Sequence, residues 1–450
     1  MPFKASHERR TFDPHPNPSP GGRGVQDRVA RDERMFILRS RMSPRCWLLT
    51  PYLLDWLSLL GRWAHLITGI AWIGASFYFV WLDDHLLPPT RKELIDAGVG
   101  GEVWAMHGGG FYNAQKYKLA PAELPAPLHW FYWEAYSTWA TGFFLLCLLY
   151  FGQPQVYLID PAVMALGAPA AIAIALGFLA GGWFAYDALC RLLGRNERVL
   201  ALAVAALCCA IAFGLCALFS GRGAYILFGA TLGTIMVANV FFVIIPGQRE
   251  MVRAKQEGRA PDPVHGLRGK QRSVHNTYFT LPVLFAMISN HYAMSYGAAH
   301  PAAVLIALSI AGALIRAWFV ARHRAHERGG RTSPLPVAAG LLILAAVIVL
   351  LAPRAASTPA PTGSAAERFA RVQSILQQRC VACHAPQPSF AGFPAPPKGV
   401  LLDTPEHILT HTAAMQTQLA TRVMPVGNLT QMTDAERAEV LAWLTDGAPH

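Results

Sequence analysis

Residues 380–384 read Cys-Val-Ala-Cys-His. Two thiols three positions apart, with a histidine directly after the second, have the spacing of a c-type haem attachment site. Cys380 and Cys383 would each form a thioether to a haem vinyl group, and His384 would sit under the iron as proximal ligand. A redox dithiol or a zinc half-site are the alternatives. Zinc would call for a second pair of ligands nearby, and none follows in the sequence. The histidine adjoining Cys383 argues against a thioredoxin-like motif. The other six cysteines (Cys46, Cys147, Cys190, Cys208, Cys209, Cys216) are scattered in or beside apolar runs and read as small buried hydrophobes.

A c-type haem commonly takes a methionine on its far face, which raises its potential. Met415, Met424 and Met432 are the candidates. Met415 falls on an expected helix, where methionine is usually core, and Met432 adjoins a helix cap. Met424 precedes Pro425 in a loop just before the last helix and is the expected ligand.

A second group of residues lies in or beside long apolar runs, where an ionisable side chain is costly and marks function by default. His65 stands in RWAHLITGIAWIG, His129 and Glu134 open HWFYWEAYSTW, and His275, Asn276 and His291 belong to HNTYFTLPVLFAMISNHY. Between the first two runs lies GGEVWAMHGGGFYNAQKY, with His107, Asn113 and Lys116. Plainer roles stand beside the functional ones. HGGG reads equally as a turn or as amides exposed to an anion. Glu134 reads as a helix-start carboxylate or a proton acceptor. The aromatics of 130–139 read as an interfacial belt or a purine-stacking wall, and Arg249 as a topology signal or an anion partner.

The elements that must position these residues follow from composition. Hydrophobic residues make up 53% of the 450 and charged residues only 14%, against about 25% charged in a soluble domain. That shortage excludes a wholly soluble enzyme and a disordered or fibrous chain. Eight runs approach the roughly 20 residues that cross a bilayer, near 53–82, 129–151, 161–186, 199–219, 223–245, 276–296, 301–321 and 335–352. The expected fold is all-α: a polytopic bundle of about eight spans at 51–353, a Pro/Ala/Ser/Thr linker at 354–365, and a small class-I-like cytochrome c domain at 366–450. In that domain the pattern predicts helices at 366–378, 404–420 and 434–445, the last capped by Thr433. Residues 1–50 read as a disordered extension, in which Met35 or Met42 would serve equally well as starts.

The net charge of +11 is not a nucleic-acid signal once located, for no basic stripe with interleaved aromatics exists. Loops 247–275, 322–333 and 187–198 hold seven, four and three Lys/Arg, while 152–160 and 297–300 hold none. The positive-inside rule therefore places the first three in the cytoplasm and the chain after Ala352 outside. That is where haem is attached to Cys-X-X-Cys-His sites. The cytoplasmic ends then gather His107, Asn113, Lys116, His129, Glu134, Arg249, His275 and Asn276.

At HGGGFYNAQKY with HWFYWEAYSTW, and at FGATLGTIMVANVFFVIIPGQRE, the sequence resembles the bacterial membrane-bound urate hydroxylases. In that family a multi-span urate-oxidising domain is fused to a C-terminal cytochrome c, and the resemblance runs from about Asp55 to the end. It implies oxidation of urate to 5-hydroxyisourate in purine catabolism, in a bacterial inner membrane with the cytochrome domain on the periplasmic side. Electrons would leave through one covalent haem c to a cytochrome oxidase or a soluble cytochrome c. A urate site needs a cation, amide donors and acceptors, an aromatic face and a base. His107, Glu134 and His275 are the expected catalytic residues, with Asn113, Lys116, His129, Arg249 and Asn276 as binding residues. More weakly, His65 with Trp72-Ile73-Gly74 resembles the first span of small haem- or copper-associated membrane proteins, so a haem b held by His65 and His291 is the alternative to two histidines hydrogen-bonded inside the bundle. The rivals to the enzyme are a non-catalytic electron-transfer subunit of a respiratory complex and a transporter, the latter without the internal repeat it would lead one to expect.

Overall fold

The computed structural model describes residues 44–327, 330–352, 363–390, 393 and 395–450. Most of the expected extension at 1–50 and of the linker at 354–365 lies outside the described residues. The chain forms two compact units divided between Leu60 and Gly61. The described part of the first, 44–60, is helical, with Tyr52 edge-on to Trp56 at 6.3 Å.

The helices in chain order are α1 (Pro44–His85), α2 (Lys92–Asp96), α3 (Trp133–Leu145, running on as a π-turn to Phe151), α4 (Pro154–Tyr157), α5 (Ala168–Leu193) and α6 (Glu197–Leu218). Then come α7 (Gly221–Asn239, continued by a π-turn to Ile244), α8 (Ile245–Gln256), α9 (Pro263–Ile288), α10 (Ala293–Tyr296), α11 (Pro301–Glu327) and α12 (Leu335–Leu350). The C-terminal part holds α13 (Ala365–Arg379), α14 (Pro405–Thr410), α15 (Thr412–Ala420) and α16 (Asp434–Thr445).

Five helical stretches among the described residues are long and apolar enough to cross a membrane: Tyr52–His85, Ala168–Leu193, Glu197–Leu218, Gly221–Gln256 and Pro301–Arg322. The other three expected spans are helical too but fall short of that measure of length or hydropathy. α3 has 13 residues before its π-turn, α9 opens with the basic stretch PVHGLRGKQR, and α12 has 16 residues. α7 is the central element. Leu227, Phe228, Leu232 and Ile235 on it are fully buried, and the helices packed on α7 are α3, α5, α6 and α9, with α10 at one end. Buried apolar side chains around it supply the core, each worth roughly 1.5–3 kcal/mol when removed from water.

The all-helical expectation fails at one place. Val99–His107 (β1) and Gly110–Tyr117 (β2) pair antiparallel as a hairpin, with His107 opposite Gly110 and Trp104 opposite Asn113. The turn is Gly108-Gly109, both at positive φ (58° and 83°). That is the two-residue geometry whose twist matches antiparallel strands and that glycine adopts freely. HGGG is thus a tight hairpin turn.

The C-terminal residues pack around a separate hydrophobic cluster of Val372, Leu376, Leu402, Ile408, Met415, Leu419, Met432, Val440 and Trp443. Both main helices start on capping boxes, Ser364 with Glu367 for α13 and Thr433 with Glu436 for α16. Each satisfies two backbone donors that would otherwise be orphaned. The single helix expected at 404–420 is broken at His411 into α14 and α15.

Candidate functional site: a buried polar network and a Cys-X-X-Cys-His helix end

The side chains expected at the cytoplasmic ends fall into three groups by their contacts. The first is the hairpin. His107 is exposed beside its turn, Asn113 Nδ2 donates to Glu102 at 2.9 Å, and Lys116 Nζ binds Asp83 at 2.6 Å. Arg91 joins Glu102 at 3.2 Å. Asn113 and Lys116 are occupied in fastening the hairpin and the end of α1.

The second group surrounds the start of α3. His129 is exposed and Glu134 half-buried in the first helical turn, where a carboxylate complements the helix dipole. Ala135 packs with Val237, Val240 and Ile245, and Trp130, Tyr132, Tyr136 and Trp139 lie against that cluster. Trp139 Nε1 donates to Thr234 at 3.1 Å. Those aromatics fasten α3 to α7. Arg249 is exposed on α8.

The third group is an extended buried network in which His275 and Asn276 take part. Arg272, 5% exposed, donates to Asp187 at 2.7 Å and to Asn239 Oδ1 at 3.4 Å, and its guanidinium lies 5.0 Å from the Tyr186 ring centroid. Arg191 donates to the other Asp187 oxygen at 2.6 Å. Asn239 Nδ2 donates to Asn276 Oδ1 at 2.9 Å and to the Tyr186 hydroxyl at 3.2 Å. Asn276 Nδ2 donates in turn to the Met236 carbonyl at 3.0 Å.

The Tyr186 oxygen accepts from Asn239 and shares a hydrogen bond with His275 Nδ1, 2.7 Å away, while Cys190 Sγ lies 3.9 Å from the same ring nitrogen. His275 is thus held at the end of the network through Nδ1. Sequence reading missed Asp187, Tyr186, Asn239 and Arg272 as site residues. From sequence alone Asp187 reads as the start of the loop 187–198 and Arg272 as one of the basic residues of 247–275, although Asn239 stands in an apolar run.

His65 Nδ1 donates to the Thr138 carbonyl at 3.0 Å and to Thr141 Oγ1 at 3.1 Å. Gly142 admits the ring, since a Cβ there would lie 2.8 Å from His65 Cε1. His291 ends the Ser289–His291 turn and is exposed. These contacts tie His65 to α3.

The Cys-X-X-Cys-His group closes α13. Cys380 is the C-cap residue, and the His384 amide donates to the Cys380 carbonyl at 2.9 Å. His384 Nδ1 donates to the Val400 carbonyl at 2.9 Å. This is the contact that fixes an imidazole with Nε2 free to bind a metal. Burial pushes the Cys380 thiol up to about 12 and raises Cys383 as well. No group of three or more His, Cys, Asp or Glu among the described residues is placed to hold a metal ion. Met415 and Met432 are consumed by the core, whereas Met424 is half-buried outside it, its carbonyl accepting from Arg437 at 2.7 Å. The donor types at this helix end, two thiols and an imidazole whose Nε2 is free, are those that would hold a covalent haem, and Met424 would be the methionine left to it outside the core. Arg379 braces the helix end through a two-nitrogen contact to Glu436 (2.9 and 3.1 Å) and a bond to the Thr430 carbonyl at 2.7 Å.

No curated protein and no solved structure matches the chain. Residues 51–352 match the model of the family described as urate oxidase, N-terminal. That stretch is about two thirds of the 450 residues and includes the hairpin, α3 and the buried network. The chain belongs to the urate oxidase N-terminal family.

Proposed function

We propose that this protein oxidises urate to 5-hydroxyisourate at the membrane, with water supplying the hydroxyl oxygen, and that the electrons leave through a c-type haem on residues 363–450. The carrying observation is the family match over 51–352, joined in one chain to the Cys380–His384 group. The half-reaction balances as urate plus water giving 5-hydroxyisourate, two protons and two electrons. A haem held at Cys380 and Cys383 would accept one electron at a time.

The chain's own residues supply binding and orientation. Urate is mostly a monoanion at neutral pH, with acceptor oxygens around a flat ring. The network around Arg272 ends on His275, whose Nε2, if Nδ1 accepts from Tyr186, would carry an N–H suited to such an oxygen. Asn276 and Asn239 hold that histidine's partner in place. His275 and Asn276 therefore act in substrate binding and positioning, with His107 and His129 the exposed groups at the same charge-assigned side. Glu134 is the remaining candidate proton acceptor. Electrons would pass onward to a cytochrome oxidase or a soluble cytochrome c on the periplasmic side of a bacterial inner membrane.

The test is truncation. Chains ending at residue 352 should bind urate in membranes as the full chain does but show no steady-state urate consumption. Unchanged turnover in the truncated chain would refute the role of the C-terminal part. Loss of urate binding, with the truncated protein inserted and monodisperse, would refute the assignment of the substrate to 51–352.

A further inference from the structure

Residues 422–428 form the one turn of the C-terminal part that holds the expected haem methionine, and its backbone is well braced. Arg437 binds the Met424 carbonyl at 2.7 Å, Pro425 is buried, and Asn428 exchanges two hydrogen bonds with the Met432 backbone at 3.0 and 3.2 Å. This turn rests on the family domain. Val426–Asn428 packs on α4, where a Cβ placed on Gly427 would lie 3.5 Å from the Val156 carbonyl. Beside it, a Cβ on Gly297 would lie 3.5 Å from Arg422 Cβ.

The seat itself is rigid. α4 is pinned to the start of α7 by Ser220, whose amide and hydroxyl donate to the Leu158 and Tyr157 carbonyls at 3.0 and 3.1 Å. Under it, the Tyr157 ring lies 5.8 Å from that of Tyr150, and Arg222 lies over Tyr157 at 4.9 Å. Tyr150 and Arg222 both donate to Asn290 Oδ1 at 3.0 Å.

A second, independent observation concerns sidedness. The two loops that receive the turn are 152–160 and 297–300, which carry no Lys or Arg and are therefore the outside loops. Haem attachment requires the same side for Cys380 and Cys383. Loop charge and contact geometry thus agree without sharing an assumption.

We propose that the 422–428 turn docked on Gln153–Tyr157 and Gly297 is the electron-transfer seat between the family domain and the haem-bearing part of the same chain, with the Tyr157–Tyr150 pair on the membrane side of it. The proposal rests on the functional reading above for the source of the electrons. The seat itself does not depend on urate.

The experiment uses the full holoprotein in membranes with a protease site inserted within 354–362. The pair Gly297→Cys and Arg422→Cys sits within the Cβ separation of about 3.5–4.5 Å that disulfides need, although the Gly297 Cβ would also lie 2.7 Å from the Ala293 carbonyl oxygen, so this turn must give by a few tenths of an ångström. After mild oxidation and cleavage, the C-terminal fragment should stay attached on a non-reducing gel and be released by reductant, and neither single variant should retain it. The oxidised protein should still reduce its haem with urate within about twofold of the untreated rate. As a second variant, Gly427→Trp should keep the haem and its dithionite spectrum but slow urate-driven reduction by about 10–100-fold, the penalty of a small misplacement. Absence of the cross-link in a haem-loaded double variant, or a cross-link joining two chains, would overturn the seat. So would a locked protein that no longer passes electrons, or a Gly427→Trp variant with the normal rate. If urate fails to reduce the haem even in the unmodified chain, the functional reading falls, while the cross-link alone still decides the docking.

Discussion

Replacing Asp187 by Asn removes the counter-ion of a guanidinium that is only 5% exposed. Arg272 keeps a long contact to Asn239 at 3.4 Å and its approach to the Tyr186 ring at 5.0 Å, neither of which replaces a carboxylate at 2.7 Å. Breaking one partner out of a buried pair costs about 3–5 kcal/mol. The companion contact from Arg191, whose side chain is 76% exposed, adds at most about 1 kcal/mol. For a domain of this size the loss should lower the unfolding midpoint by on the order of 10 °C. It is read by thermal unfolding of the detergent-solubilised protein. The double variant Asp187→Leu/Arg272→Met removes both charges and should recover most of the loss, because replacing a buried pair by apolar groups is often close to neutral. A midpoint shift under about 2 °C for Asp187→Asn, or a double variant no more stable than the single, would refute the view that this pair anchors the network.

Other outcomes follow from the same geometry. Cys380→Ala/Cys383→Ala should lose haem that survives boiling in detergent while the apolar helices still insert, checked by haem staining of denaturing gels. Met424→Ala should retain the covalent haem and lower its midpoint potential in a redox titration, since the thioether ligand is what raises it. The Arg379 guanidinium holds the Glu436 carboxyl below its ordinary range. The stability Glu436 contributes is therefore present above the unfolded carboxylate value near 4.3 and is lost as pH falls through the lower folded value. Arg379→Gln should flatten that acid dependence in pH-resolved denaturation of the holoprotein. A periplasm-active reporter fused after Arg354 should be active and one fused within 255–265 inactive.

The helical elements were legible wherever a local signal exists. Thr433 three residues before Glu436, and the Cys-X-X-Cys-His group at a helix end, are contiguous patterns that local physics converts directly into structure. The hairpin was equally local, a pair of glycines between runs rich in aromatic and β-branched residues, yet it lay between apolar runs and passed as a loop. The buried network was not legible in the same way. Asp187 and Arg272 lie 85 residues apart, and each looks like a loop charge because α5 and α9 extend beyond their apolar stretches. Only the packing of α5, α7 and α9 shows that these polar ends face one another. His275 and Asn276 could be singled out as polar residues in an apolar run, but their partners Tyr186 and Asn239 lie on other helices, α5 and α7.

Anaerobic single-turnover mixing of the full-length holoprotein with urate tests the central claim most directly, following the haem α-band and urate absorbance together. Reduction of two haems for each urate consumed is the expected result, as the two-electron half-reaction requires. An isolated 360–450 fragment reduced by urate at the full-length rate would contradict it, for residues 51–352 would then be an anchor only. Urate consumption without any haem reduction would contradict it from the other side.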